Sequence, residues 1–204
     1  MSLILDGTNG STMATWTLAT RPSTPNVGQI GYNTSYGGLE IYNGTAWDII
    51  SGGPAFAAYA NAGQGMSGTA APISLQNKNF DTAGCFNNSG STTTLNGLSV
   101  PAYSFMPFIS GYYHFNFSVR ASSASYEIVA YIQKNGTAVA QGTDVSPGWS
   151  SSGAAVMYLN GSTDYITLAA YTGGSVTVAS RTSTVSGTTY GLDTFMQGLL
   201  LRGV

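Results

Sequence analysis

The stretch Gly111-Tyr112-Tyr113-His114-Phe115-Asn116-Phe117-Ser118-Val119-Arg120 decides the fold class. Residues two apart in a strand share a face. One face therefore carries Tyr113, Phe115, Phe117 and Val119, and the other Tyr112, His114, Asn116 and Ser118. The first face is core. Outward from this strand, short runs rich in Val, Ile, Thr, Tyr and Phe alternate with clusters of Gly, Ser and Asn, which is the pattern of an all-β chain. No stretch shows the i, i+3, i+4, i+7 apolar rhythm of a capped helix. Candidate strands over 54–204 are Ala55 to Tyr59, Ile73 to Leu75, Leu98 to Val100, Gly111 to Arg120, Tyr126 to Lys134, Thr137 to Gln141, Ala154 to Leu159, Tyr165 to Tyr171, Val176 to Ser180 and Leu192 to Leu201. Their near-even spacing predicts an antiparallel sandwich or jelly roll.

Asn-Gly dipeptides begin at Asn9, Asn43, Asn96, Asn135 and Asn160. Such a pair suits a type I′ hairpin, whose two central residues need positive φ. Asn43-Gly44 and Asn135-Gly136 follow good strands and are expected to be hairpin turns. A boundary is expected near Ser51-Gly52-Gly53-Pro54, giving an N-terminal unit over 1–53 and a second domain over 54–204. The first unit has two short strands and a Trp. An isolated hairpin is marginal in water, so the unit needs neighbours, or it is a linker carrying one ordered hairpin.

Of 204 residues only 7% are charged, against a usual ~25%, with a net charge of −2 and 43% apolar residues. The polar surface rests on 25 Ser, 24 Thr, 13 Asn and 27 Gly. There is no electrostatic footprint for nucleic acid or an anionic membrane. No apolar run approaches the ~20 residues of a membrane span, and the start, MSLILDGTNG, lacks the features of a signal peptide. One cysteine, Cys85, allows neither an internal disulfide framework nor a multi-cysteine zinc site. Nucleic-acid and membrane partners are not expected.

Arg21-Pro22, Gly28-Gln29-Ile30-Gly31-Tyr32-Asn33, Leu39-Glu40-Ile41-Tyr42-Asn43-Gly44 and Thr45-Ala46-Trp47 together resemble a module of bacteriophage tail-fibre and other virion appendage proteins. That resemblance implies a virion location and attachment to other virion proteins through the N-terminal region. Residues 1–13 read as an arm that gains order on docking.

A second set of landmarks covers nearly all of 54–204. Ala55-Phe56-Ala57-Ala58-Tyr59, Phe80-Asp81-Thr82-Ala83-Gly84 with Phe86-Asn87, Ile109-Ser110-Gly111-Tyr112-Tyr113-His114-Phe115, Lys134-Asn135-Gly136 and Thr194-Phe195-Met196-Gln197-Gly198-Leu199-Leu200 resemble the globular head of complement and related collagen-tailed proteins, a jelly roll akin to tumour necrosis factor. The chain lacks the collagen repeat and carries extra Ser/Gly/Thr-rich sequence at 143–153 and 179–190, which fits a viral version of the head. The resemblance implies a tight homotrimer formed through the last strand and its neighbours.

The last strand has apolar groups on both faces: Phe195, Leu199 and Leu201 on one, Met196 and Leu200 on the other. With one wet face it would alternate, so both faces are covered, the outer one by another subunit. Met196 and Leu200 are expected near a trimer interface, with Tyr112 a further candidate.

Catalytic chemistry finds little support. The single histidine, His114, lies inside a strand, and Cys85 reads as a small buried hydrophobe. The carboxylates Asp6, Glu40, Asp48, Asp81, Glu127, Asp144, Asp164 and Asp193 are scattered singly, whereas a glycosidase needs two facing across the scissile bond. No catalytic residue, cofactor or dedicated metal site is expected, although some heads of the resembled family hold calcium in apical loops, where Asp144 or Asp164 could contribute. Trp149 and Tyr190, in the polar insertions, are candidates for stacking on a host surface glycan; otherwise they pin long loops to the sandwich. The expected function is a phage virion structural protein, a trimeric fibre or spike whose head faces the host. The alternatives are a capsid-decorating head fibre, a polysaccharide depolymerase and a bacterial surface adhesin.

Overall fold

The computed structural model describes residues 5–6, 10–35, 37–178, 183–185, 188–190 and 193–203. A short ladder pairs β1 (Leu5–Asp6) with β2 (Gly10–Ser11). The N-terminal module is a four-stranded sheet in chain order: β3 (Thr15–Trp16), β4 (Ile30–Asn33), β5 (Gly38–Tyr42) and β6 (Trp47–Ser51). The head begins with β7 (Ala55–Tyr59), β8 (Gln64–Ser67), β9 (Ala71–Pro72) and β10 (Asn77–Asp81). A hairpin of β11 (Thr93–Leu95) and β12 (Leu98–Val100) and a two-residue β13 (Ser104–Phe105) precede the long β14 (Gly111–Arg120). Then come β15 (Ile128–Lys134), β16 (Thr137–Gln141), β17 (Ser150–Leu159), β18 (Ile166–Thr172) and β19 (Ser175–Val178). The ladder β20 (Ser183–Val185) with β21 (Thr188–Tyr190) leads to the last strand, β22 (Phe195–Gly203).

Two five-stranded antiparallel sheets make the head. One runs β10-β7-β22-β14-β17; the other runs β13-β18-β15-β16, with β9 added on β18. Along the chain, β7, β9, β10, β13, β14, β15, β17, β18 and β22 fall alternately in the first and second sheet, and β16 joins β15 as a hairpin in the second. Repeated crossing between two antiparallel sheets is the topology of a jelly roll. The head is an all-β jelly-roll sandwich.

Alternation along β14 sets the core. Tyr113, Phe115, Phe117 and Val119 point between the sheets and are fully buried, facing Ile128, Ala130 and Ile132 of β15 and Ile166, Leu168 and Ala170 of β18. Phe56 stacks on Phe86 and Phe105 at 5.0 and 4.5 Å between ring centroids, and Phe115 meets Phe105 edge-on at 6.0 Å. Such offset and edge-to-face pairs add to the value of the buried area itself. The open seam between β15 and β17 is bridged by the buried Ser151 hydroxyl, which accepts from Ala130 N (2.8 Å) and donates to Thr143 O (2.6 Å).

The Asn135-Gly136 turn has positive φ at both residues and closes the β15–β16 hairpin. Asn96-Gly97 does the same between β11 and β12, a hairpin that its short, polar strands conceal in the sequence. Asn43-Gly44 joins β5 to β6 differently. The Asn43 side chain accepts from Thr45 N and Ala46 N, so the turn is a longer, side-chain-capped loop. Ile73 and Leu75 are buried without forming a strand, whereas the more polar 64–67 pairs with β19 as β8 and 77–81 with β7 as β10.

The N-terminal module is more than one hairpin. Trp16 lies over Gly31 and donates from Nε1 to Glu40. Glu40 is fully buried and also takes Arg21 through Nε (3.0 Å) and Nη2 (2.6 Å) and Asn33 Nδ2 (3.2 Å). A buried carboxylate is tolerated only when paired and hydrogen-bonded, and here Trp16, Arg21 and Asn33 come from the same sheet or its opening loop. Leu200 N donates to Pro54 O (3.0 Å), and Ile49 packs beside Gly203, so the module sits at the end of the head where β22 finishes.

Candidate functional site

The outer face of the β10-β7-β22-β14-β17 sheet carries an exposed apolar band. Register places Ala55, Leu199, His114 and Val156 in one cross-strand row and Phe80, Ala57, Gln197, Asn116 and Ala154 in the next. Tyr112 stands opposite Tyr158, with ring centroids 5.8 Å apart, edge to face. Leu199, Leu201 and Val156 are 45%, 54% and 58% exposed, and Phe80, Tyr112 and Tyr158 are exposed beside them. A depression of about 170 Å³ opens between Phe80, Leu199, His114 and Gln197. From Arg202 at one end to Arg120 at the other, the two central strands carry no charge on this face. Contiguous exposed apolar groups of this kind mark a contact surface.

Tyr112 lies on the outer face of the sheet. Met196 does not. It is 0% exposed and belongs to the core, and Leu200 points the same way, partly buried against the core and Gly53. The physical reason is Gly198, which shares their face. A β-carbon there would come within 2.6 Å of Phe115 and 3.0 Å of Phe56, so the inward side of β22 is the one that lacks bulk at its centre. Leu199 and Leu201 are the outward groups.

The opposite end of the head, at the far end of β14, carries Trp149. Its indole is 52% exposed, with the Arg120 guanidinium 5.6 Å from the ring centroid and Arg120 Nη1 3.4 Å from Asp193 Oδ1. Trp149 O accepts from Ala121 N at 2.7 Å, which fixes the backbone beneath the ring. The Tyr190 side chain lies outside the described residues, as does much of the 1–13 arm and of the 179–190 insertion.

Nucleophilic chemistry is not assembled around Cys85. Burial and then the charge of Asp81 push its thiol up to about 12, so it stays protonated. Asp164 does not fit a calcium site. Burial would raise its pKa, but bonds from Lys134 Nζ (2.8 Å), Asn135 Nδ2 (2.8 Å) and Asn160 N (3.0 Å) outweigh that and hold it low. An ammonium group already occupies the place of a cation, and Gly161 packs on Ile109 at the end near the N-terminal module, not at the apex. Asp144 is near Tyr131, whose phenol pKa is raised by burial first and by the charge of Asp144 next. Among the described residues no three His, Cys, Asp or Glu side chains come together as a metal site.

No family model and no curated protein matches the chain. Solved structures similar to it include the globular domain of zebrafish complement 1qA (16% identity, TM-score 0.47), covering 72% of this chain and 97% of that one. Murine APRIL (12%, 0.46) covers 72% and 98%, and the Eiger TNF of S. frugiperda (13%, 0.47) covers 73% and 93%.

Proposed function

We propose that this chain is a structural protein of a phage virion, a homotrimeric fibre or spike whose head faces the host surface. The carrying observation is the uncharged apolar band on the outer sheet face, centred on Leu199 and flanked by Val156, Tyr112 and Phe80. Sealing that band between three copies removes it from water, and a cyclic arrangement closes without leaving an unpaired patch. The two ends of the head support a polar orientation. The N-terminal module, knit together by Glu40, is packed on one end, and the exposed Trp149 stands at the other. An exposed indole with a polar surround suits stacking on a sugar face. The protonated Cys85 thiol agrees with a binding role over a catalytic one.

The test is sedimentation equilibrium of the whole chain at micromolar concentration, followed by competition with phage adsorption. A trimer that blocks adsorption, and loses that effect on Trp149→Ala while staying trimeric, is the expected result. A folded monomer overturns the assembly; binding to isolated capsids with no effect on adsorption assigns the chain to capsid decoration; release of reducing sugar from host polysaccharide makes it a depolymerase.

A further inference from the structure

We propose that the cleft between the N-terminal module and the head binds a single pyranose ring of a neutral saccharide. The cleft measures about 270 Å³ and is lined by Leu18, Arg21, Tyr42, Trp47, Phe108 and Ser110, with Thr45 at its edge. It lies at the opposite end of the head from Trp149 and does not depend on the attachment reading.

Size comes first. Sites for drug-sized ligands span ~300–1,000 Å³, so this one suits one ring. Trp47 and Tyr42 are half-buried neighbours bordering the cleft, with ring centroids 5.5 Å apart and planes tilted by 52°; Trp16 packs edge-on against Trp47 at 5.0 Å. The C–H face of a pyranose is apolar and stacks on such a ring, while its hydroxyls need partners around the edge. Arg21 supplies one. Glu40 takes its Nε and Nη2, which holds the guanidinium 5.7 Å from the Trp47 centroid and turns Nη1 away from the carboxylate. Thr45 is a further polar residue bordering the cleft.

Charge then selects the ligand class. Arg21 is the one charged residue lining the cleft, and the buried Glu40 at 2.6 Å neutralises it. An acidic or basic ligand finds no unmatched charge, and a purely apolar one leaves the donors without partners. A neutral polyhydroxylated ring meets both conditions. Both walls come from separate modules, so the ligand also bridges them.

The experiment is saturation-transfer NMR on the full chain with methyl glycosides of glucose, galactose, mannose and N-acetylglucosamine. At least one should bind saturably, with no dependence on salt. Trp47→Ala, which removes the platform, and Ala46→Trp, which fills the cleft, should each weaken binding by about tenfold or more. The second variant keeps the test open if the first fails to fold. Trp149→Ala should leave this binding unchanged. Absence of a signal with all four glycosides overturns the proposal, as does binding that survives both cleft variants or that requires a charged sugar. Binding lost in Trp149→Ala and kept in the cleft variants moves the sugar to the apex and overturns this site while leaving the attachment reading standing.

Discussion

The Trp16 indole occupies the space that a side chain at Gly31 would need. Its N–H reaches past that glycine to the buried Glu40 carboxylate. Ring, glycine and carboxylate form one contact through which β3 is held on the four-stranded sheet.

Gly31→Ala should therefore loosen the N-terminal module. Overpacking of this kind costs about 1–3 kcal/mol. Near-UV circular dichroism of the tryptophans should weaken at a temperature where the far-UV signal of the head is intact. An unchanged melt would show that Trp16 is free to move aside.

Glu40→Gln should cost more, roughly 3–5 kcal/mol, because it leaves Arg21 charged and unmatched against a buried amide. The double variant Glu40→Gln with Arg21→Gln should recover part of the loss. Denaturant midpoints of the four chains measure the coupling.

The two faces of β22 should separate in mutagenesis. Met196→Ala, in the core, should cost about 2–5 kcal/mol of stability without dissociating the assembly. Leu199→Asp with Leu201→Asp should leave the protomer folded and abolish association. Sedimentation alongside thermal melts distinguishes them, and the reverse outcome would return the interface to the Met196 face.

Asp164 makes stability depend on pH in a stated direction. Its folded pKa is depressed, so its contribution is fully present above the unfolded value of ~3.9 and is lost as pH falls through the folded one. Asp164→Asn should destabilise the head by about 2 kcal/mol at neutral pH. That difference should shrink in melts taken below about pH 4. A constant gap down to pH 2 would contradict it.

Cys85 should be inert while the chain is folded. With its thiol pushed up to about 12, roughly one in ten thousand is ionised at pH 8. Reaction with a disulfide reagent should be slow in buffer and fast in denaturant. Rapid labelling of the native chain would mean that the β10–β14 region opens.

Much of this architecture is legible in the residues. Alternation from Tyr113 to Val119 gives β14 its buried face directly, and Asn135-Gly136 gives a hairpin. The facing of β22 is not, because Met196, Leu199, Leu200 and Leu201 are apolar in both phases. The choice is made by Gly198, whose meaning depends on Phe56 and Phe115 arriving from other strands. The same limit hides the role of Glu40. Its partners Trp16, Arg21 and Asn33 are separated from it by 24, 19 and 7 positions and meet only when the sheet forms. A buried-looking glycine opposite an otherwise unexplained tryptophan is the trace that they leave in the sequence. The ion pair of Asp164 is hidden for a related reason: the Lys134 ammonium comes from a separate hairpin.

The junction at Pro54 has a mechanical meaning. β6 passes through Gly52 and Gly53 directly into β7, which is laddered to β10 on one side and to β22 on the other. A tug on the N-terminal module is thus delivered along the axis of a strand held on both flanks. Its rungs are loaded in shear and share the force, so they do not open one at a time like a zipper. The covalent tether thus enters the head along a strand that is paired on both flanks.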